Sequence, residues 1–287
     1  VSAVVIDGAA LARTVYGELA GRVRKLADAG VRPGLGAIQV GDNPASTIYV
    51  GGKVKACSAI GVHSEVRKLP ADVTEAAILD AIDAFNRSPA IHGILVQLPL
   101  PSHVSAERVT QAIAVEKDVD GFTWQNLGAL VAGHPALTPC TPTGVMAMLD
   151  HYAIPIEGRR AVVIGRSTEV GKPMALMLIA RGATVTVCNS RTRNLPEITA
   201  AADILVVAAG KAGLVTAGMI KPGSAVIDIG INRRADGKIC GDIDYAGVAA
   251  VAGFVTPVPG GVGPMTVAML IANTVAAAER VSRAAAT

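Results

Sequence analysis

Aromatic residues make up only 3% of the 287 positions, and charged residues, at 17%, nowhere gather into a block of one sign. The 26 lysines and arginines and 23 aspartates and glutamates are spread along the chain. The net charge of +3 therefore comes without the basic run that nucleic-acid or membrane-surface binding requires, and a small anionic ligand fits the composition better. Histidine is scarce: five residues, scattered, with no HExxH or similar cluster. The four cysteines, Cys57, Cys140, Cys188 and Cys240, form no CxxC pair and have no histidine at zinc-ligand spacing. They read as reduced cytosolic thiols, and no metal site is expected. The most apolar stretches, residues 204–209 and 248–255, fall short of the ~20 residues that span a bilayer. The N-terminus lacks a basic region followed by an apolar one, so the expectation is a soluble, cytoplasmic protein with no membrane and no nucleic-acid partner.

Hydrophobic residues, by contrast, are plentiful at 51%, and there are 31 glycines. That composition suits a close-packed α/β protein, and the length allows one large or two modest domains. No period repeats, which excludes a solenoid or collagen-like chain. Residues 8–29 carry apolar positions at helical spacing and end at Gly30, a plausible C-cap. The pattern then alternates: strand 34–40, helix 44–60, strand 62–69, helix 74–85, strand 91–98. Alternation of this kind predicts a parallel sheet with crossover helices. Proline- and glycine-rich sequence follows from 99 to 142, with helical segments near 106–114, 126–131 and 143–151. The domain junction is placed at 139–142, giving a first domain of residues 1–139 and a second of residues 140–264. The second series, with strands 161–164, 184–187, 204–208 and 225–229 and a helix at 172–181, resembles a doubly wound nucleotide-binding sheet. A final helix, near 265–280, could close either domain.

The segment Gly165-Arg166-Ser167-Thr168-Glu169-Val170-Gly171-Lys172-Pro173 follows an apolar strand and opens a helix, the context in which backbone N–H groups and the helix dipole hold phosphate. Its spacing is neither GxGxxG nor a P-loop, which disfavours ATP hydrolysis. A βα turn with glycines for packing alone is the plain alternative. The next strand ends in Asn189-Ser190-Arg191, where NAD-specific folds place an acidic residue against the ribose 2′-hydroxyl. A hydroxyl and a cation there, with Arg166 nearby, favour the 2′-phosphate of NADP. Solvated surface arginine is the bland reading of Arg191. A further strand runs out through Gly230, Ile231 and Asn232 at the same sheet edge.

In the first domain, Asp42-Asn43-Pro44 starts a helix on which Tyr49 and Lys53 share a face. Gly51 and Gly52 lie inside it, each costing up to ~1 kcal/mol relative to alanine, so either something approaches the backbone closely or the helix is weak. Gln97 ends an apolar strand before Leu98-Pro99-Leu100-Pro101, where a polar amide can meet a ligand or Lys53. Lys117-Asp118-Val119-Asp120-Gly121-Phe122 lacks the oxygen ligands of a calcium loop and reads as an Asp-Gly turn. The run from Pro257 to Pro264 offers either free N–H groups before a helix or a rigid linker.

Together, Tyr49-Val50-x-x-Lys53-x-Lys55-Ala56, Gln97-Leu98-Pro99-Leu100-Pro101, the segment from Lys117 to Phe122, Gly165-Arg166-Ser167-x-x-Val170-Gly171-x-Pro173 and Pro259-Gly260-Gly261-Val262-Gly263-Pro264-Met265-Thr266 resemble the methylenetetrahydrofolate dehydrogenase/cyclohydrolase family, in order and over nearly the whole chain. The resemblance implies a folate-binding first domain, an NADP-binding second domain with a cleft between them, and usually a homodimer. It implies NADP-dependent oxidation of 5,10-methylenetetrahydrofolate and hydrolysis of the methenyl product. By resemblance Lys53 is the catalytic lysine, Tyr49 positions folate, Gln97 tunes the lysine and Asp120 holds the pterin. Val50, Gly51, Gly52, Val96, Leu98, Pro259, Gly260, Gly261, Val262 and Gly263 border the substrate, while Gly165, Arg166, Ser167, Ser190, Arg191 and Ile231 border the cofactor. Two departures stand out, Gly51-Gly52 within the lysine motif and Thr123-Trp124-Gln125 after Phe122, where a histidine or similar polar residue is expected early. The rival readings are another two-domain NADP oxidoreductase, such as a shikimate-type dehydrogenase, and a catalytically silent NADP-binding module.

Overall fold

The computed structural model describes residues 2–285 and divides into two compact units. One unit comprises residues 14–140 and 267–285, the other residues 2–13 and 141–266.

In chain order the first half runs β1 (Val4–Val5), α1 (Gly8–Asp28), β2 (Gly34–Val40), α2 (Pro44–Ala59), β3 (His63–Leu69), α3 (Glu75–Arg87), β4 (Gly93–Val96), α4 (Ala106–Gln111) and α5 (Trp124–Val131). Strands β3, β2 and β4 form a parallel sheet in that order, with Leu35 level with Ser64 on one side and Gly93 on the other. The middle strand is buried at every position, as a parallel strand covered on both faces must be. On α3, Ile78, Ala81, Ile82 and Phe85 recur at helical spacing and meet Ile38, Val40, Ile94 and Val96 of the sheet. Gly36 leaves room for the Phe85 ring, which would stand 2.8 Å from a Cβ there. Thr74 begins α3 by accepting the Ala77 N–H at 3.3 Å. Lys117 ends it: its Nζ donates to the carbonyls of Phe85, Asn86 and Ser88 at 3.1, 2.8 and 2.8 Å. Because β2 sends its chain to β3 on one side and later to β4 on the other, the strand order reverses between β2 and β4. Ligands of α/β sheets gather at such a point, outside the carboxyl ends of the strands.

The second half continues with α6 (Cys140–His151), β5 (Arg160–Ile164), α7 (Gly171–Ala180), β6 (Thr184–Cys188), α8 (Leu195–Thr199), β7 (Ile204–Val207), β8 (Ala225–Asp228), β9 (Asn232–Arg233), β10 (Ile239–Cys240), α9 (Tyr245–Ala249), β11 (Phe254–Val255) and α10 (Val262–Ala285). Six parallel strands lie in the order β1-β11-β8-β7-β5-β6, around a core that includes Val162, Ile164, Leu205, Val207 and Val226. From β5 onward this is a doubly wound sheet whose reversal falls between β5 and β7. Strands β9 and β10 form a separate antiparallel pair.

Two expectations need correction. Residues 2–13, read as part of the first domain, group with the second, because Val4 and Val5 pair with Phe254 and Val255 as the last strand of the six. A two-residue strand carries no period by which a sequence reading could place it. The survey of apolar runs also passed over α10, which is long and apolar enough by length and composition alone to cross a membrane. Over half of its apolar window is buried inside the protein, including Met265, Leu270, Ile271 and Val275, as in a core helix.

Candidate active site

In the first unit the carboxyl edge of the sheet gathers polar side chains. Lys53, on the third turn of α2, is partly buried and donates from Nζ to Gln97 Oε1 at 3.1 Å. Gln97 follows β4 directly, and its backbone N–H extends the ladder to the Ile38 carbonyl at 2.9 Å. Its own NH₂ donates to the Leu98 carbonyl at 2.7 Å, so the amide carbonyl is the end left to face the lysine. Tyr49 stands one turn before Lys53, 38% exposed, with its hydroxyl pushed up by partial burial. Gly51 and Gly52 are exposed, and a Cβ on either would meet nothing within 4 Å. Among the described residues, then, nothing requires glycine there. Val50 and Val96 are buried, Val96 in the core beneath α3, and Leu98 is half-buried.

Asp120 joins this group by its charge. Burial pushes its carboxyl up to about 6; Lys53 opposes that rise, Asp118 adds to it and the Cys140 thiol opposes it. Asp118, fully buried, has a different task. It bridges to Ile94 as an extension of the sheet, and its carboxylate accepts from Phe122 N, Thr123 N and Asn126 Nδ2 at 3.2, 2.7 and 2.9 Å. Gly121, with φ +71°, makes the turn between them. Of the Lys117 to Phe122 motif, then, Lys117 and Asp118 are structural and Asp120 is the member beside Lys53. Cys140, within the Pro139–Pro142 segment at the junction, was assigned no role in the site on sequence. Its thiol donates to the Val119 carbonyl at 3.1 Å, and burial together with the Asp120 charge holds it well above its ordinary range, so it stays protonated. Its position between two prolines at the junction was the available signal.

In the second unit the ends of β5 and β7 come together at the strand-order reversal. Gly165, with φ +125°, lies so close to β7 that a Cβ would stand 2.3 Å from the Ala208 carbonyl oxygen. Gly171, at the start of α7, packs in turn on the Gly165 carbonyl, and Ser167 Oγ accepts the Val170 N–H at 3.1 Å. The result is a cavity of about 480 Å³ bordered by Gly165, Arg166, Ser167, Asn189, Ser190, Ala208 and Lys211. Its lining includes two cations, Arg166 and Lys211, and no carboxylate. Lys211 was not singled out on sequence; its place just past β7 was the clue. The turn after β6 is fixed by Asn189 Oδ1 accepting the Arg191 N–H at 3.0 Å, which leaves Arg191 exposed at the rim rather than in the lining. Ile231, 54% exposed beyond β8, is likewise outside it. Behind the wall, buried Asp242 accepts from Ala209 N and Gly210 N at 2.6 and 2.8 Å. The run from Pro259 to Gly263 belongs to this unit also. Gly260 accepts the Ala9 N–H at 3.0 Å, and a Cβ on Gly8 would stand 1.9 Å from the Gly261 carbonyl oxygen. The missing Cβ of Gly8 lets the start of α1 lie against the backbone of this run, a packing role that the sequence alone did not reveal.

Residues 6–120 match the catalytic-domain model of the tetrahydrofolate dehydrogenase/cyclohydrolase family, and residues 139–282 match its NAD(P)-binding-domain model. The chain belongs to the tetrahydrofolate dehydrogenase/cyclohydrolase family. Among its relatives is the bifunctional protein FolD of Nitrosospira multiformis, 58% identical over 279 residues, 97% of each chain. The crystal structure of the Campylobacter jejuni bifunctional enzyme FolD is 45% identical, with a TM-score of 0.96 over 98% of this chain and 100% of that one. The Trypanosoma brucei FolD structure, complexed with NADP cofactor and inhibitor, is 40% identical, with a TM-score of 0.95 over 99% of each chain. Membership in the family leaves the shikimate-type and silent-module readings without support.

Proposed function

We propose that this enzyme oxidises 5,10-methylenetetrahydrofolate with NADP⁺ and hydrolyses the resulting 5,10-methenyltetrahydrofolate to 10-formyltetrahydrofolate. The observation that carries the reading is the Lys53–Gln97 bond with Asp120 beside it, inside the part of the chain that matches the family's catalytic domain. Hydride loss leaves a methenyl cation and calls for orientation more than for acid or base. Hydrolysis is different, since water adding to the methenyl carbon gives up both its protons, one reaching N5 as the C–N5 bond breaks and the other released to solvent. Lys53 is the group for that transfer, and Gln97 holds its amine in place. Asp120, ionised at neutral pH, accepts hydrogen bonds from the N–H groups of the pterin. Tyr49 lies against the folate, Gly51 and Gly52 with Val50 offer backbone, and Val96 and Leu98 flank Gln97.

The glycine-lined cavity of the second unit fits NADP. Gly165 brings bare backbone to the strand ends, and the lining carries cations without a carboxylate. Gly165, Arg166 and Ser167 would hold the pyrophosphate, Ser190 and Arg191 the 2′-phosphate, and Ile231 the nicotinamide end. NADP⁺ held there would supply the hydride acceptor. A cytoplasmic homodimer, with neither nucleic acid nor membrane as partner, completes the reading. Supplying methylenetetrahydrofolate and NADP⁺, then following NADPH and the methenyl absorbance separately, tests both activities. NADPH without decay of the methenyl signal would remove the hydrolase, and no NADPH would remove the whole proposal.

A further inference from the structure

Asn273 lies in the middle of α10, where asparagine is a poorer helix former than the alanines around it. Its side-chain amide donates to the Val119 carbonyl at 2.8 Å and to the Thr138 carbonyl at 2.9 Å, and the same nitrogen stands 3.7 Å from the Cys140 sulfur. These acceptors come from two backbone segments remote in sequence from α10, one on each side of the Asp120 turn. The segments are in direct backbone contact, since a Cβ on Gly121 would stand 2.6 Å from the Pro139 nitrogen. Val119 is fully buried, so water is a poor substitute for the amide. Next along the helix, Thr274 turns its hydroxyl back to the Leu270 carbonyl at 2.9 Å, and this hydroxyl would be 3.0 Å from a Cβ on Gly93 at the start of β4. The helix is thus seated on the sheet at the point where Asn273 reaches the turn.

The Val119 carbonyl and the Asp120 N–H belong to one planar peptide unit, so tilting that carbonyl redirects the Asp120 side chain. The same carbonyl also accepts the Cys140 thiol at 3.1 Å. We propose that Asn273 is a positioning residue for the folate chemistry, a clamp that ties the Asp120 turn to the Cys140 segment and fixes both beside Lys53. The inference rests on the reading of Asp120 as the carboxylate that holds the pterin.

Asn273→Leu removes the donor while keeping size and improving helix propensity. The expected result is a folded protein whose KM for both folate substrates rises about ten- to a hundredfold while the KM for NADP⁺ stays within about twofold. The decisive readout is the double-mutant cycle: in an Asp120→Ala background, Asn273→Leu should add less than about twofold to the folate defect. A merely structural role would add its full effect in both backgrounds. Should Asn273→Leu fail to fold, Asn273→Ser, which keeps one short donor unable to span both carbonyls, must show the same split and the same lack of additivity. Wild-type folate KM in whichever folded variant is measured, or full additivity with Asp120→Ala, overturns the proposal. If Asp120→Ala itself leaves folate turnover intact, the reading of Asp120 is what has failed.

Discussion

At the strand-order reversal of its three-stranded sheet the first unit places side chains: an amine, an amide and a carboxyl that burial has pushed up to about 6. At the equivalent reversal of its six-stranded sheet the second unit places backbone, two glycines that bring a turn against a strand end, with cations at the margin. The same topology therefore supplies a point of convergence twice, and the residues put there decide its use. Titratable groups held out of water carry proton chemistry, at a cost in stability. Backbone N–H groups and exposed cations bind a ligand with fixed negative charge and leave little for chemistry to act on.

The largest effect should come from removing the amine. Lys53→Met keeps the aliphatic stem and the helix, so the protein should fold and titrate NADP⁺ normally. Methenyl hydrolysis should fall ~10²–10⁴-fold, the usual loss on removing a general acid–base catalyst. Dehydrogenation should fall less. Separate assays of the two steps on the folded variant decide the matter, and hydrolysis near the wild-type rate would erase the distinction between the units.

Asp120 shows how burial tunes the first site. Its carboxyl is raised from 3.8 to about 6, so the native state holds that proton more tightly than the unfolded chain does. The stabilisation this gives is fully present below pH 3.8 and is lost as pH rises through about 6. Asp120→Asn should therefore raise Tm at pH 7.5 by the equivalent of about 1–3 kcal/mol, with the gain vanishing below pH 4, while folate turnover collapses. Thermal melts across that range test it. A variant less stable at every pH would mean that Asp120 is held by its surroundings in the ionised form. Asp118 should behave oppositely: Asp118→Asn would set an amide against the three donors that its carboxylate now accepts, and stability should fall.

How much of this the sequence disclosed follows from what kind of signal each element sends. The central strand β2 was readable to its ends because the run between Pro33 and Gly41 is apolar or glycine at every position but Gln39, as suits a strand covered on both faces. Strands β1 and β11, two residues each, were not, because pairing and not pattern defines them. Gln97 was recognisable as a polar residue ending an apolar strand, whereas Lys53, an ordinary lysine by its own segment, was legible only through the family resemblance; the structure joins the two at 3.1 Å. Cys140 and Asn273 were hidden by their ordinariness: a lone cysteine and a mid-helix asparagine acquire meaning only from contacts 21 and more than 130 residues away. Lys117 was equally unannounced: it was read only as part of an Asp-Gly turn, and its place at the end of α3 rests on three carbonyls about 30 residues earlier.

The second site should respond by changing selectivity, not rate. Arg191 is exposed at the rim of the cavity, and its side chain makes no hydrogen bond or ion pair among the described residues. Arg191→Ala should weaken NADP⁺ about tenfold, the size of one charge-assisted contact, and leave NAD⁺ use nearly unchanged. The ratio of kcat/KM for the two cofactors is the measurement, repeated at high salt, where an exposed contact of this kind fades. Equal losses with both cofactors would assign Arg191 to the turn and not to the 2′-phosphate.

The smallest effect separates glycines that the fold needs from glycines that it does not. Gly165→Ala would drive a Cβ to 2.3 Å from the Ala208 oxygen at φ +125°, which the backbone has no means of relieving without moving the strand end. Gly51 and Gly52 present the opposite case: both are helical, exposed and free of any neighbour within 4 Å of a Cβ. On helix propensity alone, alanine at either should stabilise the protein by ~0.5–1 kcal/mol, raising Tm by a few degrees at most. What the protein leaves open, a ligand can use. If folate lies against this turn of α2, the added methyl groups should also raise the folate KM while leaving that for NADP⁺ alone, so stability and affinity would move in opposite directions. A Gly51→Ala, Gly52→Ala protein that is more stable and binds folate as before would show that the pair serves neither fold nor substrate, and would confine the first site to Tyr49, Lys53, Gln97 and the Asp120 turn.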